Sequence, residues 1–562
     1  MSPWVSGLLS RLFVRFARHR KLRFDRDAAH ASQVNDDTLM AILRRNRGSE
    51  FGRKHGFAQI DSPATYRRKL PLATHDDFLT DIERMSNGAQ NILCTDRLSG
   101  FGLTSGTTGK SKMVPISTSQ RRKTALAMMF LPQGFVADLL PETRQGGRGL
   151  LLLNASTPGQ TVSGLPVGPG TSLGMRHVLR MSSLFWTSPS EAYQISNQAD
   201  ALYVHLLFAL IGGDARFISA PFASTVLDLF HTLELRAAEL VYDVRHGTLL
   251  GVPNIDPRLR QRLQKRLLPQ PDLSTWLADE LSAGMDGIAT RLFPQLTYIN
   301  TVTSGGFALY AKRLLRYVGE LPVYSSIYAS TEAVLGIGVG LDAARYALIP
   351  GQAYCEFIPE GHIDESQPTT WQLNELQVGH RYEIVLSTFS GLYRYRLGDI
   401  IEVIDHYQRT PLVEFVHRRG ALLNICGEKT SERTAYTALL RSTGLAGLQL
   451  ADFTTRIDTD SLPQRYVFYI ELGASERPTD VAALAAKLVD SIDSALCQGN
   501  SLYELSRKSA RIGAAEVRFV RSGTFRRLRD IFVQRGASPT QVKVPRVLGD
   551  PDMIAVLEEN PL

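Results

Sequence analysis

The chain has 562 residues, 44% of them apolar and 21% charged. It is too long for one hydrophobic core, so about three structural units are expected, with the composition of an ordinary soluble globular protein. Of the net charge of +8, +5 falls in residues 1–30, where Arg11, Arg15, Arg18, Arg20, Lys21, Arg23 and Arg26 stand against Asp25 and Asp27. The remainder is nearly balanced, which excludes a nucleic-acid groove across the body.

In the first 30 residues, Leu8, Leu9, Leu12, Phe13 and Phe16 recur at helical spacing. The expectation is a basic amphipathic helix that packs this apolar stripe on the protein's own body rather than on an anionic membrane. It lacks the uninterrupted apolar segment of a secretory signal. Residues 35–97 read as helices joined by turns, with Asp36-Asp37 capping one through Arg45 and Asp76-Asp77 another through Met85. Cys94, Cys355, Cys426 and Cys497 are scattered without a C-x-x-C pair. That pattern suggests neither a disulfide framework nor a zinc site, and a reducing cytoplasm.

Next comes Thr104-Ser105-Gly106-Thr107-Thr108-Gly109-Lys110-Ser111-Lys112, leading into Met113-Val114-Pro115-Ile116. Glycines let backbone N–H groups approach a ligand, hydroxyls donate hydrogen bonds, and lysines add positive charge. This is the chemistry of a polyphosphate cradle. Gly109-Lys110-Ser111 fits the end of a P-loop, but Thr104 sits where its first glycine belongs. A P-loop also needs a helix at its Gly-Lys, and Pro115 would break one; Met113–Ile116 reads instead as an edge strand.

Beyond the loop, Gln120–Leu131 reads as a helix, and Gly149–Asn154 as a strand covered on both faces. Gly170-Thr171-Ser172-Leu173-Gly174 matches G-x-S-x-G literally. A nucleophile elbow needs a buried strand before its serine, whereas Gly164–Gly170 reads as a Pro/Gly-rich loop, so a hydrolase is discounted. The apolar run Leu202–Ile211 is about half the length needed to cross a bilayer. Helices over Thr225–Val244 and Asp256–Leu267 alternate with strands around Leu296–Val302 and Pro322–Ile327, which suggests an α/β body.

Three further constellations follow. Tyr328-Ala329-Ser330-Thr331-Glu332 comes just after the strand Val323–Ile327, where Thr331 can bond a phosphate oxygen and Glu332 can hold Mg²⁺. The same Ser-Thr-Glu is also an ordinary helix start. Tyr393-Arg394-Tyr395-Arg396-Leu397-Gly398-Asp399 follows the strand Glu383–Thr388; Gly398 permits a turn and Asp399 is an acceptor for ribose hydroxyls. Gly427-Glu428-Lys429-Thr430-Ser431-Glu432 is a short polar break that looks like a hinge. Beyond it, Leu450–Ile457, Arg465–Leu472, helix Asp480–Leu496, strand Ala515–Arg521 and helix Thr524–Arg535 form a small α+β unit.

In order and spacing these stretches resemble the acyl-adenylate-forming superfamily. They are most similar to one branch of it, the auxin-responsive Gretchen Hagen family of acyl acid–amido synthetases, here as a bacterial-type member. The specific marks are Glu50-Phe51-Gly52-Arg53-Lys54-His55-Gly56-Phe57, Thr104–Lys112, Tyr328–Glu332, Gly391-Leu392-Tyr393-Arg394 leading to Gly398-Asp399, Lys429-Thr430 before Glu432, and Gln541-Val542-Lys543-Val544-Pro545-Arg546. The likeness runs from about residue 40 to residue 550. Thr331 stands where plant members often have serine, and Val542 where an aromatic is usual.

The resemblance implies a large adenylate-forming domain over 1–425, a hinge at 426–432 and a small mobile C-terminal domain over 433–562. It implies an enzyme that uses ATP and Mg²⁺ to convert a small carboxylic acid into an acyl-AMP, releasing pyrophosphate, and then passes the acyl group to an amino acid or other amine. The alternative is transfer to the thiol of CoA or of a carrier protein. By resemblance, Ser105, Thr107 and Thr108 contact the phosphates, Thr331 and Glu332 serve the α-phosphate and Mg²⁺, and Asp399 the ribose. Ser304-Gly305-Gly306 with Tyr328 resemble an adenine wall; Lys429 lies on the hinge near the nucleotide, and Lys543 is the mobile catalytic cation. The substrate's own carboxylate attacks ATP, so no nucleophilic side chain is required. Two anions must meet, and that places the weight on cations and backbone donors.

Overall fold

The computed structural model describes residues 3–103, 112–153, 159–169, 182–303, 308–419, 422–426, 428, 430–461, 463–473, 476, 478–508, 511–535, 537, 539 and 542–562. They fall into two compact units, one of Met1–Thr104, Lys112–Leu397 and Ile401–Phe415, the other of Gly398–Ile400 with Val416–Leu562. The fold is mixed α/β, as expected.

The first unit holds two sheets and all of a third except Gly398–Ile400 and Val416–Arg418. Strands β1 (Leu98–Leu103), β2 (Met113–Ser117), β4 (Gly159–Gln160) and β5 (Pro166–Pro169) form one, in the order β2-β1-β5-β4. Strands β3 (Arg148–Leu151), β6 (Ala215–Phe222), β7 (Tyr298–Val302) and β8 (Val323–Tyr324) form a second, parallel throughout. The third has seven strands: β9 (Ile327–Ala329), β10 (Val334–Gly338), β11 (Arg345–Leu348), β12 (Tyr354–Pro359), β13 (Arg381–Ser387), β14 (Tyr395–Tyr407) and β15 (Thr410–Arg418). Its order is β12-β13-β14-β15-β11-β10-β9.

One helix packed on the parallel sheet is buried nearly all round. The run Leu202–Ile211 lies in helix Gln198–Gly212, where every residue from Ala201 to Leu210 is buried. Asn197 caps its start through its Oδ1, and Gly213 ends it in the left-handed conformation with φ 63°. Leu150, Ile218 and Ile299 meet this helix in one core, which is why β3, β6 and β7 carry little polar alternation.

Several expectations need correction. Asp36 and Asp37 do not start a helix; the helix runs over Ala31–Asn46, so they lie inside it. The segment read as one helix over Thr225–Val244 is two, Ala223–Leu235 and Ala237–His246, broken at Arg236. The helix after β2 continues to Leu139 through Pro132, beyond the Leu131 expected as its end. Pro166–Pro169, read as loop, pairs parallel with β1. Both prolines stand at the ends of that short strand, where a missing N–H is tolerated. The pentapeptide Gly170–Gly174 lies outside the described residues.

The N-terminal helix Pro3–Ala29 does pack on the body, against helix Thr118–Leu139, but not with the expected stripe. Val14, Ala17, Phe24 and Ala28 are the buried residues, with Phe24 against Phe135. Phe13 reaches Phe130 and Phe185 from the side, while Leu8, Leu9, Leu12 and Phe16 are exposed. Among the described residues no helix is long and apolar enough to cross a membrane.

The second unit contains β18 (Leu450–Asp458), β19 (Arg465–Leu472) and β20 (Glu516–Val520) as one sheet, with helices Val481–Gly499 and Thr524–Gln534. These lie where the sequence places them. A small hairpin, β16 (Leu422–Leu423) with β17 (Thr430–Ser431), precedes helix Glu432–Leu445.

Candidate active site

The phosphate-loop segment is framed by strands. Leu103 of β1 is paired with Met113 of β2, so residues 104–112 connect two paired strand ends. Because the chain after Lys112 is a strand and not a helix, the P-loop of nucleotide hydrolases is ruled out. Pro115 sits in β2, at the edge of its sheet, where proline is tolerated. His75 donates from Nε2 to the Met113 carbonyl at 2.9 Å, and the Ser117 N–H donates to Ser390 Oγ at 3.0 Å. Ser105, Thr107 and Thr108 themselves lie outside the described residues, as do Ser304, Gly305, Gly306 and Lys429.

Thr331 and Glu332 stand in a tight turn, not at a helix start. Ala329 of β9 pairs with Val334 of β10, and Ser330 closes the turn with its N–H donating to the Ala333 carbonyl at 2.9 Å. The strand expected over Val323–Ile327 is split: β8 belongs to the parallel sheet and β9 to the seven-stranded one. Ser325 and Ser326 lie between them, so the chain changes sheets just before the motif. The Ser325 hydroxyl meets the Tyr346 hydroxyl at 2.7 Å, and the ring of Tyr328, buried, lies 5.7 Å from that of Tyr346.

Glu332 is 3% exposed, and neither of its carboxylate oxygens meets a hydrogen-bond or ion-pair partner among the described residues. A buried carboxylate left so costs free energy unless something else neutralises it. Among the described residues no three His, Cys, Asp or Glu side chains gather into a metal cage. A single carboxylate fits Mg²⁺, which takes one or two protein oxygens and completes its octahedron with phosphates and water.

Gly102 in β1 packs directly beneath this turn. A Cβ there would stand 2.4 Å from Thr331 Cγ2 and 3.2 Å from Ile116 Cδ1. The sequence reading does not single out Gly102, although a glycine inside a strand signals a close approach by its neighbour.

The octapeptide Glu50–Phe57 serves packing. Phe51 stacks on Tyr393 at 4.7 Å and Phe57 meets it edge-on at 5.0 Å, while the Tyr393 hydroxyl donates to the Leu93 carbonyl at 2.6 Å. Arg394 follows with φ 47°, buried and bidentate on Glu356 (2.9 and 3.2 Å). Its remaining N–H groups go to Thr370 Oγ1 and to the carbonyls of Arg67 and Leu70. Tyr393 and Arg394 are therefore structural clamps on their loop, with no donor left for a ligand.

In the second unit, Gly398 does not make a turn. It lies inside the long β14 with φ 83°, and Asp399 beside it is largely buried, 3.5 Å from Arg418. Lys543 lies 3.4 Å from Glu432, the first residue of its helix. Glu428 accepts the N–H groups of Ile425 (2.6 Å) and Cys426 (2.8 Å) and the Tyr466 hydroxyl. Burial pushes the Glu428 carboxyl up, but the Tyr466, Cys426 and Ile425 hydrogen bonds outweigh it and hold it below its ordinary range.

Family models match nearly the whole chain: the GH3 family N-terminal domain over residues 20–323, the central domain over 346–418 and the C-terminal domain over 433–552. A jasmonoyl–L-amino acid synthetase of Nicotiana attenuata, JAR4, is 31% identical over 548 residues, covering 94% of this chain and 93% of that protein. The indole-3-acetic acid-amido synthetase GH3.8 of Oryza sativa subsp. indica is 31% identical over 566 residues, covering 96% and 92%. Among solved structures, the GH3.15 acyl acid amido synthetase superposes with a TM-score of 0.85 at 28% identity, covering 95% of this chain and 94% of that one.

Proposed function

This chain belongs to the GH3 family, and from that premise we propose that it is an ATP-dependent ligase that adenylates a small carboxylic acid and passes the acyl group to an amino acid. The observation that carries the proposal is whole-length similarity to amido synthetases together with a buried Glu332 at the motif turn that meets no partner among the described residues. Mg²⁺ held by Glu332 would neutralise phosphate charge as the carboxylate attacks. Thr331 donates its hydroxyl to an α-phosphate oxygen. Ser105, Thr107 and Thr108 hold the phosphates, Tyr328 with Ser304, Gly305 and Gly306 flanks adenine, and Asp399 takes the ribose hydroxyls. Residues 426–432 are the hinge between domains 1–425 and 433–562, carrying Lys429 near the nucleotide. Lys543 is the catalytic cation of the first half-reaction. Four unpaired cysteines are in keeping with a cytoplasmic enzyme.

The test is pyrophosphate exchange against a panel of small carboxylic acids, followed by product analysis with amino acids using the best acid. Exchange driven by one acid, with an amide formed only when an amino acid is added, is the expected result. An acyl-AMP that only hydroxylamine or a CoA thiol consumes would refute the amide-forming step, and no exchange with any acid would refute adenylation.

A further inference from the structure

The N-terminal helix Pro3–Ala29 has two apolar faces; the fold buries one and touches the other only at its edge, where Phe16 meets Phe130. Val14, Ala17, Phe24 and Ala28 take the inner face. On the outer face Leu8, Leu12 and Phe16 follow one another at i, i+4 spacing and are 46%, 51% and 46% exposed. Leu126, one turn before Phe130 on the neighbouring helix, is also exposed on the side where Phe130 meets Phe16. Scattered single exposed leucines are ordinary; a continuous stripe on one helix marks an interaction surface.

Charge identifies what the stripe meets. Arg11 and Arg15 stand three residues after Leu8 and Leu12, along one border of the stripe. Both are exposed, and neither makes an ion pair among the described residues. Arg18 and Lys21, by contrast, are tied to Asp138, and Lys21 also to Asp25. The acidic groups of this region thus serve the inner half of the helix and leave the outer arginines unbalanced. A second copy pressed on the same face would set Arg11 and Arg15 against their own equivalents, which like-charge repulsion opposes.

We propose that this face lies on an anionic lipid surface, with Leu8, Leu12 and Phe16 at the headgroup–acyl boundary and Arg11 and Arg15 on acidic headgroups. The helix is then a peripheral docking element that keeps the rest of the enzyme in water.

The experiment uses the full-length protein with phosphatidylcholine vesicles, alone or with about one-quarter phosphatidylserine. Co-sedimentation with the anionic vesicles only, weakened by salt, is expected. R11Q/R15Q should bind about thirtyfold more weakly, and L8S/L12S should lose binding although its charge is intact. Both variants should keep the parent melting temperature and the parent rate with soluble substrates. Equal partitioning to neutral and anionic vesicles, or variants that bind like the parent, would overturn the proposal. So would a dimer in solution that L8S/L12S dissolves in a protein that binds no lipid.

Discussion

The methyl group of Thr331 fills the space that a side chain on Gly102 would need, 2.4 Å from where its Cβ would stand. One strand residue just before the phosphate-loop segment therefore fixes the rotamer of a motif residue more than 200 positions away. With its methyl against β1, Thr331 has a set direction for its hydroxyl.

Gly102→Ala should fold, because the added Cβ meets side chains (Thr331 and, less closely, Ile116) and no backbone, and should slow acyl-AMP formation by about 10²-fold through misplacement of Thr331. Thr331→Ser lacks the clashing methyl. The double variant Gly102→Ala/Thr331→Ser should then recover most of the lost rate, while Thr331→Ser alone changes little. Pyrophosphate exchange on the four proteins checks this; a double variant no better than Gly102→Ala would remove Thr331 from the explanation.

Glu332 gives a trade of stability against activity. Its carboxylate is buried with no partner among the described residues, so Glu332→Gln, which removes that charge, should raise stability by about 1–3 kcal/mol. The same change should cut adenylation by about 10²–10³-fold if Glu332 holds Mg²⁺. Thermal melting without nucleotide and exchange at limiting Mg²⁺ read the two effects separately. A less stable variant would mean that the carboxylate is braced by the protein itself.

Much of this was legible in the residues. The strand character of Met113–Ile116 followed from Pro115, and the small unit's elements from strong apolar periodicity and the Asp480 cap. Where the reading failed, tertiary structure overrode local pattern. Ser330-Thr331-Glu332 has the composition of a helix cap, yet pairing of Ala329 with Val334 makes it a turn. Gly398 looked like a turn residue, but long-range pairing carries β14 straight through it. The N-terminal stripe was read correctly as a helix face and assigned to the wrong side. Small Ala17 and Ala28, which score weakly as apolar, are what permit close packing of the inner face.

Glu428 makes the segment before β17 sensitive to acid. Its folded pKa is depressed from the ordinary 4.5, so its stabilisation is present above that value and is lost as pH falls through the lower folded value. Pepsin cleavage within residues 424–430 should therefore rise steeply below about pH 4.5, ahead of global unfolding. Glu428→Gln should show high cleavage with no such step. A parent protein whose cleavage is flat across this range would show that Glu428 does not hold the segment.

Lys543 lies against Glu432 within the second unit, at 3.4 Å and with both side chains partly exposed. An ion pair of this kind contributes little to folding, about 0–1 kcal/mol. If Lys543 serves only as a surface charge, alanine there should change nothing. If it enters the site as the mobile cation of the first half-reaction, Lys543→Ala removes a preorganised donor and should slow acyl-AMP formation by about 10²–10³-fold. Transfer from preformed acyl-AMP to the amine should fall much less, because a rotated small domain would have withdrawn the lysine by then. Glu432→Gln separates the partner from the catalyst: it should leave melting within about 0.5 kcal/mol of the parent and spare adenylation. Single-turnover rates for each half-reaction decide the matter. Equal loss in both after Lys543→Ala would make the lysine structural, and a loss after Glu432→Gln as large as that after Lys543→Ala would mean that the pair itself, rather than the lysine alone, is what the first step requires.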